Sequence, residues 1–395
     1  MNKIYARGRQ FVFSQALMLV PTHEPQLIKG NGMLLQIPEL LKTVQTKKVI
    51  VMTTAGFVKR GTLQPLFDKL QAYGIAYTVF SRVMPDPTVA CIEEAVEEYR
   101  QNACEAIIAV GGGSVMDCSK VLAARIARPE KSVRQMAGMF KIRATLPTLY
   151  AVPTTAGTGS EVTAGAVITD EKTHYKFTIV DLCIVPRYAI LYPSLTLTLP
   201  SAITAATGMD ALTHAVEAYT NRFASRKARN AAKEALSLIW DNLKTAYADG
   251  QNIEARENLL LGSYYAGVAI TNAYVGYVHA IAHAVGGIYG ITHGVANAVI
   301  LPRVLEEYGK ACEKEVGQLA DLIHIGGKDD KQKMERFITS LHELNDFLQM
   351  PKTLGVVREQ DIPEMTRRAM KEANPTYPVP EIWNEAQFEN IFKQV

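Results

Sequence analysis

Cysteine is scarce: five residues in 395, odd in number and with no Cys-x-x-Cys pair. That usage excludes a thiolate metal site and fits a reducing cytoplasm. Long basic runs, RNA-binding signatures and zinc-finger spacings are also missing, and the formal charge is only +3, so nucleic acid is not an expected partner. No apolar run is long enough for a bilayer. After the basic start MNKIYARGRQ, the apolar FVFSQALMLV spans about ten residues and is interrupted by Ser14 and Gln15. It reads as an N-terminal arm packing on the domain or on a partner subunit, and no membrane association is expected. There is no internal repeat, no G-x-G-x-x-G fingerprint and no Gly-Lys-Ser/Thr P-loop.

What is present divides into two unlike halves. With 395 residues and 48% hydrophobic content the chain can bury two cores. From Leu27 to Leu199, the runs KKVIVM, AYTVF, AIIAV, LYAV, YKFTIV and YAILY alternate with helical patterns such as PTVACIEEAVEEYRQN. This predicts an α/β layer. Beyond Pro200 the strand signals stop and long helical patterns follow, beginning with SAITAATGMDALTHAVEAYTN. The expected division is therefore an α/β domain over 1–200, with an arm over 1–25, and an all-helical domain over 201–395. Ser201 is the expected helix cap.

Two segments of the first half suit a dinucleotide. AIIAVGGGSVMDCSK (Ala106 to Lys120) reads as a strand, a glycine turn and a helix start. Its glycines admit close backbone approach, and the free N–H groups of a helix start attract an anion such as pyrophosphate. VPTTAGTGSEVT (Val152 to Thr163) again follows a short apolar run and presents small donors, Thr154, Thr155, Thr158 and Ser160. A ligand-free turn would explain either loop alone. Two such loops after two strands favour a crevice at the carboxyl ends of a parallel sheet.

The second half carries metal-ligand chemistry. Asp210 and His214 lie four apart in GMDALTHAVEAY, which stacks them on one helix face, Cβ atoms roughly 6 Å apart. His279 opens HAIAHAVGG and His293 sits in GITHG, past a Gly-Ile-Tyr-Gly break that can turn the chain back. A lone histidine on an apolar helix is more often a core residue than a ligand. Here, however, four of only eight histidines, His214, His279, His283 and His293, fall in two apolar, glycine-punctuated stretches. One carboxylate and three imidazoles suit Fe(II), Zn(II) or a neighbour in that series.

Taken in order, GGGSVMDCSK, VPTTAGTGSEVT, ITDEKTHYKF, LTLP, GMDALTHAVEAY and HAIAHAVGGIYGITHG make the chain, from about residue 25 onward, resemble the iron-containing (group III) alcohol dehydrogenases. The resemblance implies a dehydroquinate synthase-like fold and binding of NAD(H) or NADP(H). The implied cofactor contacts are Gly112, Gly113, Ser114, Asp117, Thr154, Thr155 and Lys176, with Thr54, Asp86, Thr163 and Leu195 also at cofactor-contact positions. It implies Asp210, His214, His279 and His293 as ligands of Fe2+, with Zn2+ as the other candidate, and His283 in the substrate pocket. A small primary alcohol, a diol or the matching aldehyde is the implied substrate, and a homodimer or larger homo-oligomer the implied assembly. The chain departs from the family at three positions. Thr54 stands where NAD-using members carry an Asp on the adenosine ribose, which leaves NADP(H) open. Asp86 replaces an Asn in PDPT, and Tyr192 stands where Asp is common.

The expected chemistry is hydride transfer in a cleft between the halves, with the ion polarising the alcohol oxygen beside the nicotinamide. His283, one turn from His279, is either a proton relay or a residue orienting a ligand. Two other readings stay open. One is a glycerol-dehydrogenase-like or dehydroquinate-synthase-like enzyme; the other is a non-catalytic helical module that holds its metal structurally.

Overall fold

The computed structural model describes residues 3–19, 23–171 and 175–395. Positions 1–2 and 20–22 of the N-terminal arm, and 172–174 of ITDEKTHYKF, lie outside the described residues. The chain separates into two compact units, one of residues 22–198 and one of residues 1–21 with 199–395. The arm is helix α1 (Lys3–Leu19). It belongs with the helical unit, whereas its place in the sequence put it in the α/β range. Its side chains explain the grouping: Arg7 donates to the carbonyls of Val379 and Pro380, and buried Gln10 donates to that of Tyr377.

The α/β unit contains β1 (Gln26–Lys29), α2 (Ile37–Thr43), β2 (Lys48–Met52), α3 (Ala55–Lys59), α4 (Gln64–Ala72), β3 (Ala76–Phe80), α5 (Val89–Gln101), β4 (Ala106–Gly111), α6 (Gly113–Ala127), β5 (Gly138–Met139), β6 (Thr148–Pro153), β7 (Gly165–Asp170), β8 (Tyr175–Val180) and β9 (Tyr188–Leu191). Six strands form a parallel sheet in the order β1-β9-β6-β4-β2-β3. β4 throughout, and β2 after Lys48, are apolar and buried because helices cover both faces. Ile50, Met52, Ile107 and Ala109 point into one core with Ile92, Val96 and Val121, while Val49, Val51, Ile108 and Val110 point into the other with Leu41, Leu66 and Leu70. The alternation is the period of two expected of a strand. A smaller sheet, β5-β8-β7, carries the antiparallel β7–β8 pair.

The helical unit continues with α7 (Ser201–Thr220), α8 (Arg226–Ala248), α9 (Ile253–Ala273), α10 (Tyr277–Tyr289), α11 (His293–Tyr308), α12 (Glu313–Leu322), α13 (Asp330–Phe347), α14 (Ile362–Ala373) and α15 (Glu385–Gln394). α7 is buried on all sides after its first turn, which makes it the core helix of the unit. Its N-cap is Pro200, with no side-chain cap bond, so Ser201 is the first helical residue and not the cap. α10 ends at Gly290, which takes the left-handed conformation (φ 70°) that an L side chain resists. That turn sends the chain back to start α11 at His293. Among the described residues no helix is long and apolar enough to cross a membrane.

Candidate metal centre and cofactor loops

Three helices bring the four sequence-picked ligands together. α7 supplies Asp210 and His214, α10 supplies His279, and α11 supplies His293 as its first residue. Asp210 Oδ1 lies 3.4 Å from His293 Nε2, 3.7 Å from His279 Nε2 and 3.9 Å from His214 Nε2. The ligand atoms of Asp210, His279 and His293 all fall within 4.8 Å of one another. His214 stacks on His279, centroids 4.5 Å apart. Asp210, His214 and His279 are buried, whereas the His293 side chain is 37% exposed, so the cluster is open on one side.

These separations fit a shared cation. They are too long for direct hydrogen bonds, whereas donors each about 2.0–2.2 Å from one ion stand roughly 3–3.5 Å apart. His214 approaches Asp210 but stands outside the mutually close group of Asp210, His279 and His293, so its ring must move in to share the ion. Burial alone would raise the Asp210 carboxyl. The imidazoles of His214, His293 and His279 gathered around it outweigh burial and hold Asp210 well below the usual carboxylate range. Burial holds His293 well below the usual imidazole value, against the pull of Asp210. Burial would lower His279 too, but Glu217 and Asp210 outweigh it and lift that imidazole to about 9, so an ion bound there must displace its Nε2 proton.

Two residues that sequence reasoning missed complete the centre. Glu217, three residues after His214 on α7, has Oε2 2.5 Å from His279 Nδ1 and accepts the Val278 N–H on Oε1 at 2.7 Å. With Nδ1 taken, Nε2 is the nitrogen His279 turns to the cluster. Gly276 makes room for this carboxylate, since a Cβ there would stand 2.8 Å from Glu217 Oε1. Asn297, fully buried one turn after His293, donates to Asp210 Oδ1 at 2.8 Å, its Nδ2 standing 3.2 Å from His293 Nε2. The signal for each was the three- or four-residue spacing from a candidate ligand.

His283 is near the cluster but outside the ligand group. Its ring stacks on His293 at 4.9 Å, and its Nδ1 is 2.7 Å from Glu372 Oε1.

In the α/β unit the two donor-rich loops lie side by side. Gly111, the last residue of β4, pairs with Pro153, the last of β6, and Thr154 N–H donates to the Gly111 carbonyl. Their contact demands glycine: a Cβ at Gly113 would stand 2.7 Å from Thr158 Cγ2, and one at Gly112 3.1 Å from Thr155 Oγ1. Gly112 precedes α6, so the free N–H groups of Gly113 and Ser114 open that helix. Asp117 is engaged on the loop itself, accepting Ser160 Oγ–H at 2.7 Å and Val167 N–H at 2.9 Å. Lys120, also missed, is fully buried and donates to Ser160 Oγ, Thr163 Oγ1 and the carbonyls of Thr163 and Gly165. Burial pulls its ammonium down to about 8, against Asp117 and Glu161.

The remaining cofactor candidates scatter. Thr54 follows β2 as the N-cap of α3 and bridges to Arg82. Asp86 Oδ1 pairs with Lys176 Nζ at 2.6 Å, so these two meet each other. Leu195 is 3% exposed and packs with Val51 and Val110 in a core of the sheet, as a packing residue with little surface to offer a ligand.

Fold and site together define a class: an α/β unit with glycine-rich loops at strand ends, joined to a helical unit with a candidate divalent-metal centre of oxygen and nitrogen donors. Comparison with known proteins narrows it. Residues 24–193 match the iron-containing alcohol dehydrogenase family, and residues 204–395 match the C-terminal part of the Fe-containing alcohol dehydrogenase family. The chain is 38% identical to a 1,3-propanediol dehydrogenase of Klebsiella pneumoniae, over 92% of this chain and 95% of the relative. It is 35% identical to an NADPH-dependent butanol dehydrogenase of Clostridium saccharobutylicum, over 82% of this chain and 83% of the relative. The crystal structure of a 1,3-propanediol oxidoreductase superposes with a TM-score of 0.91 at 36% identity, covering 95% of this chain and 99% of the other. The chain belongs to the iron-containing alcohol dehydrogenase family.

Proposed function

We propose that this protein is a metal-dependent oxidoreductase moving hydride between a small primary alcohol or diol, or its aldehyde, and NAD(P). The observation that carries the reading is the convergence of Asp210, His279 and His293 from three helices, with His214 Nε2 3.9 Å from Asp210 Oδ1. Family membership and the propanediol, methanol and butanol dehydrogenases among its relatives support it. When bound, a divalent ion supplies Lewis acidity to a substrate oxygen, and the dinucleotide supplies the hydride acceptor or donor. The chain's own residues do the rest. Asp210 and the three imidazoles hold the ion, Glu217 and Asn297 fix their orientation, and His283 exchanges the hydroxyl proton. The glycine loop at Gly112 to Ser114 and the Thr154–Thr155 loop seat the dinucleotide phosphates. A cytoplasmic homodimer belongs to the same proposal, and light scattering on the purified chain tests the assembly.

The test of function follows reduced nicotinamide by its near-ultraviolet absorbance, with metal-loaded protein, NAD or NADP, and short primary alcohols, diols and aldehydes. Turnover that vanishes on chelation and in Asp210→Ala is expected. Full turnover from metal-stripped protein would remove the proposal.

A further inference from the structure

His283 gains its geometry from a part of the chain far from the metal ligands. Glu372, the penultimate residue of α14, has Oε1 2.7 Å from His283 Nδ1. The same oxygen accepts the Tyr377 hydroxyl at 2.8 Å. A carboxylate oxygen that takes two hydrogen bonds carries no proton itself, so the shared proton sits on Nδ1. Burial would raise the Glu372 carboxyl, but His283 and Tyr377 together hold it below the usual range. Tyr377 in turn is held from behind: its N–H donates to the Ala373 carbonyl, and its own carbonyl accepts Gln10 Nε2 of α1 at 2.7 Å. Arg7, one turn earlier on α1, clamps the next residues through the carbonyls of Val379 and Pro380. The N-terminal arm, which the functional reading leaves without a task, thus fastens the segment that carries Tyr377.

We propose that Glu372 is a positioning residue that fixes His283 as the Nδ1–H tautomer, leaving Nε2 as the one ring nitrogen free to exchange a proton, with Tyr377 and the N-terminal helix holding Glu372 in place. The proposal rests on the reading of His283 as the proton-exchanging group. A neutral imidazole with no fixed partner divides between two tautomers, and the share that carries its proton on the exchanging nitrogen cannot accept. The carboxylate removes that ambiguity, as other histidine–carboxylate pairs do.

The test is Glu372→Gln, which keeps the shape and removes the obligatory acceptor. Histidine nitrogen NMR on the metal-free protein, with the His283 signal assigned through His283→Ala, reads the tautomer directly. The wild type is expected to show Nδ1–H, and the variant a mixture. In metal-loaded enzyme kcat is expected to fall roughly tenfold or more, with KM, bound metal and melting temperature close to wild type. Within a His283→Ala background Glu372→Gln is expected to add nothing. Tyr377→Phe is expected to give a smaller loss of the same kind. A wild-type protein in the Nε2–H form, an unaltered tautomer in Glu372→Gln, or the same loss of kcat on top of His283→Ala each overturns the proposal. If His283→Ala turns over normally, the proton-exchange reading fails, while the tautomer measurement still decides whether Glu372 positions the ring.

Discussion

Single side chains in this protein decide ionisation states, and two of them can be tested by neutral isosteres. Glu217 makes its contribution through His279: it holds Nδ1 and so aims Nε2. Glu217→Gln is expected to weaken Zn(II) or Co(II) binding about 10- to 100-fold, read by titration of metal-free protein. Unchanged affinity would show that the ring keeps its aim without the carboxylate. Glu161 tests burial alone. Its carboxyl is 2% exposed with Oε1 lacking a partner, and burial pushes it up to about 7 from an ordinary 4.5, a backbone bond and Lys120 offsetting only part. Between those two values the folded chain keeps a proton that the unfolded chain has released. The stabilisation is therefore complete below 4.5 and is lost as pH rises through 7. Glu161→Gln should melt close to the wild type at acid pH and above it on the alkaline side, by up to a few kcal/mol. Parallel melting curves at all pH values would place the ionisation elsewhere.

Between elements, the metal centre depends on how closely α11 approaches α7. Gly294 follows His293, and a Cβ there would stand 2.0 Å from the carbonyl oxygen of Ala206, one turn before Asp210. Gly294→Ala must therefore push α11 away from α7 and separate His293 from Asp210. We expect a loss of about 1–3 kcal/mol of stability together with weaker metal binding, measured by thermal melting and metal titration. Wild-type affinity in a destabilised variant would mean that the ligands follow the helix shift. The same closeness shows where sequence reading reaches and where it stops. KVIVM, AIIAV and the four-residue spacing of Asp210 and His214 were legible because a period of two or of 3.6 leaves a mark in one chain segment. β1, the two-residue β5 and β7 left none, being short or half-exposed. Glu217 was visible only as a helix-face neighbour, and Glu372 was not visible at all, because its partner is 89 residues away. Asp117 stands within a family motif and Leu195 just before another, yet their side chains are committed to Ser160 and Val167 in one case and to core packing in the other.

At the scale of the whole molecule, ligands distribute over two units: metal donors within residues 199–395 and glycine-rich loops within 22–198. Asp210 lies on α7 and His279 and His293 on the α10–α11 pair much further along the chain, so an ion bound by all of them exists only when the three helices are folded together. Binding is then folding free energy. With free Zn(II) a hundredfold above its dissociation constant, the gain is about 2.7 kcal/mol, which for a unit of this size raises the melting temperature by roughly 5–10 °C. Calorimetry on metal-free protein, with and without Zn(II), measures it. Asp210→Asn keeps the side-chain volume and loses the charge that the ion needs, so its melting temperature should stay put when metal is added. A wild-type transition that metal leaves unmoved would mean that the four donors do not bind one ion, and an equal shift in Asp210→Asn would move the binding to some other part of the chain.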